Sequence, residues 1–171
     1  GVQTCALPIL NSSNSSVIIN GSNNNQMNQT FGADGQYIWN VECCDTSNGC
    51  ANDFNNRTLT VDTVEPATTL VFPQNDSNSS SLYGVDFYYN VTDLHNITNC
   101  SLLIDNEVVL TDTSITKDIN QSMSYPVPNG YHDWAVQCYD QAGNLNVTGN
   151  YTINITFSPQ TYSARWYETS T

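Results

Sequence analysis

The chain has 171 residues, and its three basic residues, Arg57, Lys117 and Arg165, stand against 16 acidic ones, for a formal net charge of −13 at pH 7. That balance argues against a nucleic-acid binder, which needs clustered Lys and Arg to meet phosphates, and against docking on an anionic membrane. No apolar run reaches the length of a transmembrane helix, and the chain starts at Gly1 with no visible signal peptide, so the expectation is a fragment or processed form of a longer secreted protein.

Residues 1–9, Gly-Val-Gln-Thr-Cys-Ala-Leu-Pro-Ile, admit two readings. The string matches the translation of a sequencing adapter, which would move the native start near Leu10 and make Cys5 an artefact. Against that, Cys5, Leu7 and Ile9 stand 95 positions before Cys100, Leu102 and Ile104. Both readings stay open. Residues 11–30 are rich in Asn, Ser and Gln, and only Val17-Ile18-Ile19 reads as strand. Residues 36–43 read as one strand, because Trp39, Val41 and Cys43 fall two apart. Residues 44–56 read as a loop with the turn chemistry of Asp45-Thr-Ser-Asn-Gly49. Thr58–Val61 is the expected closing strand, and Asp62-Thr-Val-Glu-Pro66 a short junction.

A second series of strands follows. They are expected over Thr69–Phe72, Val85–Thr92, Cys100–Ile104, Val108–Leu110, Ile119–Tyr125, Asp133–Tyr139 and Asn146–Phe157. Pro73–Ser81 reads as a loop and Asp105-Asn-Glu107 as a tight turn. Seven short strands separated by turn clusters predict an antiparallel sandwich, and no helix of three turns is expected. The sixth strand repeats an earlier one. Gly35, Trp39, Val41, Cys43 and Asp45 precede Gly130, Trp134, Val136, Cys138 and Asp140 by 95 positions without a gap. The chain therefore reads as two copies of one unit of roughly a hundred residues, a common sandwich size. Trp39 and Trp134 read as core pins beside the cysteines.

The six cysteines carry the same repeat. Cys5 to Cys43 and Cys100 to Cys138 both span 38 positions, and Cys44 and Cys50 remain to close a short loop. An even, repeating set of this kind predicts disulfides and an oxidising compartment. Zinc is the weaker reading, since there is no Cys-x-x-Cys and no fourth ligand near Cys43, Cys44 and Cys50. Asparagine is the second marker. Of 24 Asn, 14 begin Asn-x-Ser/Thr, against about five expected by chance at this Ser/Thr content. They are Asn11, Asn14, Asn20, Asn28, Asn56, Asn75, Asn78, Asn90, Asn96, Asn99, Asn120, Asn146, Asn150 and Asn154. Where strand parity can be read, at Asn90, Asn150 and Asn154, the acceptor points outward, as a glycan requires.

Little else carries chemistry. His95 and His132 read as surface residues, and there is no Gly-x-Ser-x-Gly elbow or Ser/His/Asp set with local support. Paired carboxylates could hydrolyse glycosides, but nothing places two at a concave site. No catalytic residue, metal site or cofactor is assigned. Calcium at the junction, held by Asp62 and Glu65 with Asp93 or Asp140, is the main chemical alternative. Thr161–Tyr167 is aromatic and alternates like a strand, either starting a further repeat or seeking a sheet edge.

These motifs resemble the tandem immunoglobulin-like repeats of large glycosylated cell-surface proteins of archaea and bacteria. The residues that carry the resemblance are Asn129-Gly130-Tyr131, Trp134-Ala-Val-Gln-Cys138-Tyr-Asp140, Gly143-Asn144, the Val61–Pro66 junction and Cys100-Ser-Leu-Leu-Ile104, within residues 25–157. One departure from the antibody pattern matters. Cys100 falls on the third strand rather than the second, so the resemblance implies a staple between neighbouring strands of one sheet. The expected fold is all-β, with two tandem immunoglobulin-like antiparallel sandwich units, the first incomplete at its N-terminus. The expected divisions are 1–62, 63–157 and a tail or further unit over 158–171. The expected function is a structural spacer, stalk or fibre module of a secreted, N-glycosylated surface protein, extracellular and not an enzyme. Its partners would be neighbouring repeats of the same or an identical chain. The alternatives are an adhesive module for a cell-surface glycan or receptor, and a filament subunit in which one chain's tail completes the next chain's first unit.

Overall fold

The computed structural model describes residues 3–7, 15–19, 28–81 and 83–157, with Cys5 the one side chain described in the first two segments. Among the described residues the secondary structure is all strand. The chain divides into two compact units, Gly1–Thr63 and Val64–Thr171.

Unit 1 carries β1 (Gln3–Leu7), β2 (Ser15–Ile19), β3 (Gly35–Trp39), β4 (Glu42–Cys44), β5 (Cys50–Asn52) and β6 (Arg57–Val61). One sheet runs in the order β2-β1-β4-β5, and β3 pairs with β6 in a second. The single strand expected over 36–43 is thus two strands in two sheets. The break is at Asn40, whose side chain competes for backbone groups. Its Oδ1 accepts from the Val41 N–H at 2.6 Å, and its Nδ2 donates to the Asp53 carbonyl at 3.1 Å. The expected loop over 44–56 also contains a strand, β5.

Trp39 departs from the expectation of a core pin. It is half-buried, with the Arg57 guanidinium 5.4 Å from its ring centroid. Cys5 alone is buried among the described residues of unit 1. The reason is local: Arg57 is the register partner of Trp39, and no described residue of unit 1 covers the ring as core aromatics cover Trp134.

Unit 2 carries β7 (Ala67–Phe72), β8 (Ser77–Ser79), β9 (Val85–Thr92), β10 (Ile97–Ile104), β11 (Glu107–Asp112), β12 (Asn120–Tyr125), β13 (Gly130–Asp140), β14 (Leu145–Val147) and β15 (Tyr151–Ile155). One sheet has the order β12-β9-β7. The other has the order β11-β10-β13-β15-β8, with β14 also paired to β13. Inward residues from both sheets form one core: Val85, Phe87, Tyr89, Val91 and Met123 meet Leu102, Trp134, Val136, Ile153 and Ile155. The period-two readings of β9 and β13 locate this core, and Trp134 is fully buried with Phe87 at 5.0 Å and Tyr151 at 5.8 Å between ring centroids.

Three local features differ from expectation or sharpen it. The loop expected over 73–81 includes β8, which pairs in parallel with β15. Its Ser-Asn-Ser sequence gives no hydrophobic signal, and Asn75 helps hold it by accepting from the Thr152 N–H at 2.8 Å. The strand expected over 146–157 is broken between β14 and β15, where Thr148 bonds Val136 through both its backbone N–H and its hydroxyl, each at 3.0 Å. The β10–β11 turn is a two-residue hairpin with φ +52° at Asp105 and +66° at Asn106, the primed geometry that Asp and Asn tolerate.

Candidate functional site

The cysteines form three bonds, each between directly opposed residues of neighbouring strands. Cys100 and Cys138 are register partners on β10 and β13, with Cα atoms 4.1 Å apart. Cys5 and Cys43 are partners on β1 and β4, also at 4.1 Å. Cys44 and Cys50 are partners on β4 and β5 at 4.0 Å. All three join strands within a sheet. The Cys100–Cys138 pair is fully buried in the unit 2 core.

The repeated aspartates cap repeated turns. Asp45 Oδ1 accepts from the N–H groups of Ser47 at 2.8 Å and Gly49 at 2.9 Å. Asp140 Oδ1 accepts from Gly143 at 2.7 Å and Asn144 at 2.8 Å, and its Oδ2 accepts from Asn144 Nδ2 at 2.7 Å. Burial of Asp140 raises its pKa, but these hydrogen bonds outweigh it and hold the carboxyl below its ordinary value. Both oxygens of this calcium candidate are therefore occupied within the turn. Of the other candidates, Asp62 belongs to unit 1 and is half-buried, Glu65 is exposed, and Asp93 is half-buried and caps the His95 N–H at 2.6 Å.

Neither histidine is a simple surface residue. His95 is half-buried in the β9–β10 loop. His132 is a latch: Nδ1 lies 2.7 Å from Asp105 Oδ2 and Nε2 lies 3.2 Å from the Pro128 carbonyl. Each ring nitrogen thus lies within hydrogen-bond distance of an acceptor of the chain itself. Asp105 also accepts from the Asp133 N–H at 3.0 Å, fastening the β10–β11 turn to β13. The His132 hydrogen bond is the main cause that lowers the Asp105 pKa, against a smaller opposing effect of burial.

Sequence reasoning missed Lys117. Its ammonium donates to the carbonyls of Asp93 at 2.8 Å, Leu94 at 3.3 Å and His95 at 2.7 Å. The loop's converging oxygens are thus filled by the chain's own cation. The available signal was scarcity, since Lys117 is the one lysine in a chain with 16 acidic residues.

None of the described acceptor asparagines is buried. Asn11, Asn14 and Asn20 lie outside the described residues, as does the tail at 158–171. Two pairs of acceptors face each other. Asn90 and Asn120 are register partners, 3.3 Å from Nδ2 to Oδ1, and Asn154 donates to Asn78 across β15 and β8 at 3.0 Å. Tyr131 is the register partner of Asn154 on the other side, so Tyr131, Asn154 and Asn78 form a row across β13, β15 and β8. This row, with Asp76 and Thr152, lines an outward cleft of about 240 Å³. That is smaller than an ordinary ligand pocket, and Tyr131 is 78% exposed. Among the described residues no helix is long and apolar enough to cross a membrane.

No protein-family model matches the chain, and no curated protein matches it. Among solved structures, the chain is similar to the fibronectin(III)-like modules of Clostridium thermocellum CbhA, at 15% identity over 97% of this chain and 84% of that one, with a TM-score of 0.56. The SrpA adhesin of Streptococcus sanguinis aligns at 18% identity over 57% of this chain and 60% of its own, with a TM-score of 0.38. SGBP-B from a Bacteroides ovatus mixed-linkage glucan utilization locus, solved in complex with a mixed-linkage heptasaccharide, aligns at 14% identity over 89% of this chain and 39% of its own, with a TM-score of 0.32. At 15% identity the likeness to the CbhA modules is one of fold alone, an all-β architecture.

Proposed function

We propose that this chain is a structural module, a spacer or stalk segment, of a secreted and N-glycosylated cell-surface protein. The observation that carries the reading is the placement of the disulfides. Each joins opposed residues within a sheet, and one sits at the centre of the unit 2 core. Bonds so placed resist separation of strands rather than shape a pocket, and they persist in oxidising compartments. Several polar groups that could do chemistry are instead held in the fold: Asp140 and Asp45 on turns, His132 and Asp105 on a latch, Lys117 on a loop. The outward acceptor asparagines and the excess of acid fit a surface kept soluble and shielded from proteases.

The test is intact mass of the natively secreted protein, before and after reduction and deglycosylation. Glycan mass on several acceptors and three closed disulfides support the reading. Free thiols with bare asparagines refute it. A glycan array separates the spacer from the adhesive alternative, because a spacer gives no saturable signal.

A further inference from the structure

We propose that a glycan on Asn154 folds back onto the chain and stacks its first sugar on the ring of Tyr131. The inference rests on the N-glycosylation reading and gives it a specific docking surface. Tyr131 and Asn154 are directly opposed on β13 and β15. Opposed side chains on one face of an antiparallel pair start about 5 Å apart, within reach of an aromatic ring. The ring of Tyr131 is 78% exposed, and it shares with Asn154 and Asn78 the cleft of about 240 Å³, a space suited to a single sugar ring.

The amide geometry permits the attachment. Asn154 Nδ2 donates one hydrogen to Asn78 Oδ1 at 3.0 Å. An N-linked amide keeps one N–H, so attachment of a sugar still leaves Asn154 a donor for Asn78. The apolar C–H face of the sugar then covers an aromatic surface that otherwise stands in water, while its hydroxyls reach the polar groups of Asp76 and Thr152. Exposed aromatics also neighbour acceptors along the chain: Phe54, 97% exposed, precedes the acceptor Asn56 by two residues, and Tyr88, 37% exposed, precedes Asn90 by two on the same face of β9.

The experiment is a double-mutant cycle on the full chain secreted from a glycosylating host, with glycans trimmed to the first sugar. Thr156→Ala destroys the Asn154 acceptor while leaving Asn154 itself in place, and Tyr131→Ala removes the platform. Glycopeptide mass reads occupancy of Asn154, and calorimetry reads the unfolding of unit 2. With Tyr131 present, Thr156→Ala lowers Tm by about 3 °C, and in the Tyr131→Ala background by less than about 1 °C. Tyr83→Ala, at an exposed tyrosine with no acceptor within two residues, leaves the effect of Thr156→Ala unchanged. An occupied Asn154 with equal shifts in both Tyr131 backgrounds overturns the docking and leaves the glycoprotein reading standing. An Asn154 found bare in every molecule overturns both at this position.

Discussion

Replacing Cys100 and Cys138 together by Ala tests the mechanical reading most directly. The bond closes a loop of 38 positions between two fully buried residues. In the chain-entropy model a loop of that length restricts the unfolded chain enough to stabilise the fold by about 4 kcal/mol. Loss of the two buried sulfurs leaves small cavities that cost about 1 kcal/mol more. A unit of this size has roughly 5–15 kcal/mol in all, so the variant loses a third or more of its stability and its Tm falls by about 20 °C. Urea unfolding, followed by near-ultraviolet circular dichroism and by hydrogen exchange of unit 2 peptides, measures the change. The denaturant slope should rise as well, because the uncrosslinked chain exposes more surface when it unfolds. A loss below about 1 kcal/mol would refute the reasoning. Replacing Cys44 and Cys50, whose loop spans 6 positions, is the control. It should cost about 2 kcal/mol and leave exchange in unit 2 unchanged.

Lys117→Met removes the ammonium from three carbonyls and should cost about 2 kcal/mol in chemical denaturation, with Lys117→Arg recovering only part of it. Tyr89→Phe should stabilise unit 2 by about 1 kcal/mol, because the fully buried hydroxyl has no hydrogen-bond partner among the described residues. Burial, and then the charge of Asp112, pushes the Tyr89 phenol up to about 12. A folded pKa above the unfolded value of about 10 means stability present below pH 10 and lost as pH rises toward the folded value, so a pH titration of Tm should show an alkaline decline that Tyr89→Phe removes. Asp105 has the opposite sign: its lowered pKa contributes stability above the ordinary carboxylate value that is lost as pH falls through the folded value. Asp105→Asn should therefore weaken the acid dependence of Tm, with little effect if its hydrogen bond to His132 is unimportant.

The apolar alternation made much of unit 2 legible in the sequence. Val85, Phe87, Tyr89 and Val91 share one face of β9, and Trp134, Val136 and Cys138 share one face of β13, so period two alone located the core. Elements held by polar side chains were hidden from that signal. The strand β8 is Ser-Asn-Ser, secured from outside by Asn75, and the break at Asn40 comes from a side chain competing with the ladder. The stretch Asp140-Gln-Ala-Gly143-Asn144 was legible as a turn, but the occupation of both Asp140 oxygens was not, because two of the three donors are backbone amides that every sequence supplies. The Tyr131–Asn154–Asn78 row required register across three strands, which residue spacing within one strand does not contain.

The in-register bond between β10 and β13 also sets how far the chain can lengthen. Pulled from its ends, a polypeptide straightens between its crosslinks, and the segment between Cys100 and Cys138 is bypassed by the covalent path through sulfur. At about 3.5 Å per extended residue, roughly 130 Å of contour is withheld from any tether that contains this unit. The quantity of chain a tether can release is therefore governed by the redox state of one buried pair: short and stiff while oxidised, longer once reduced.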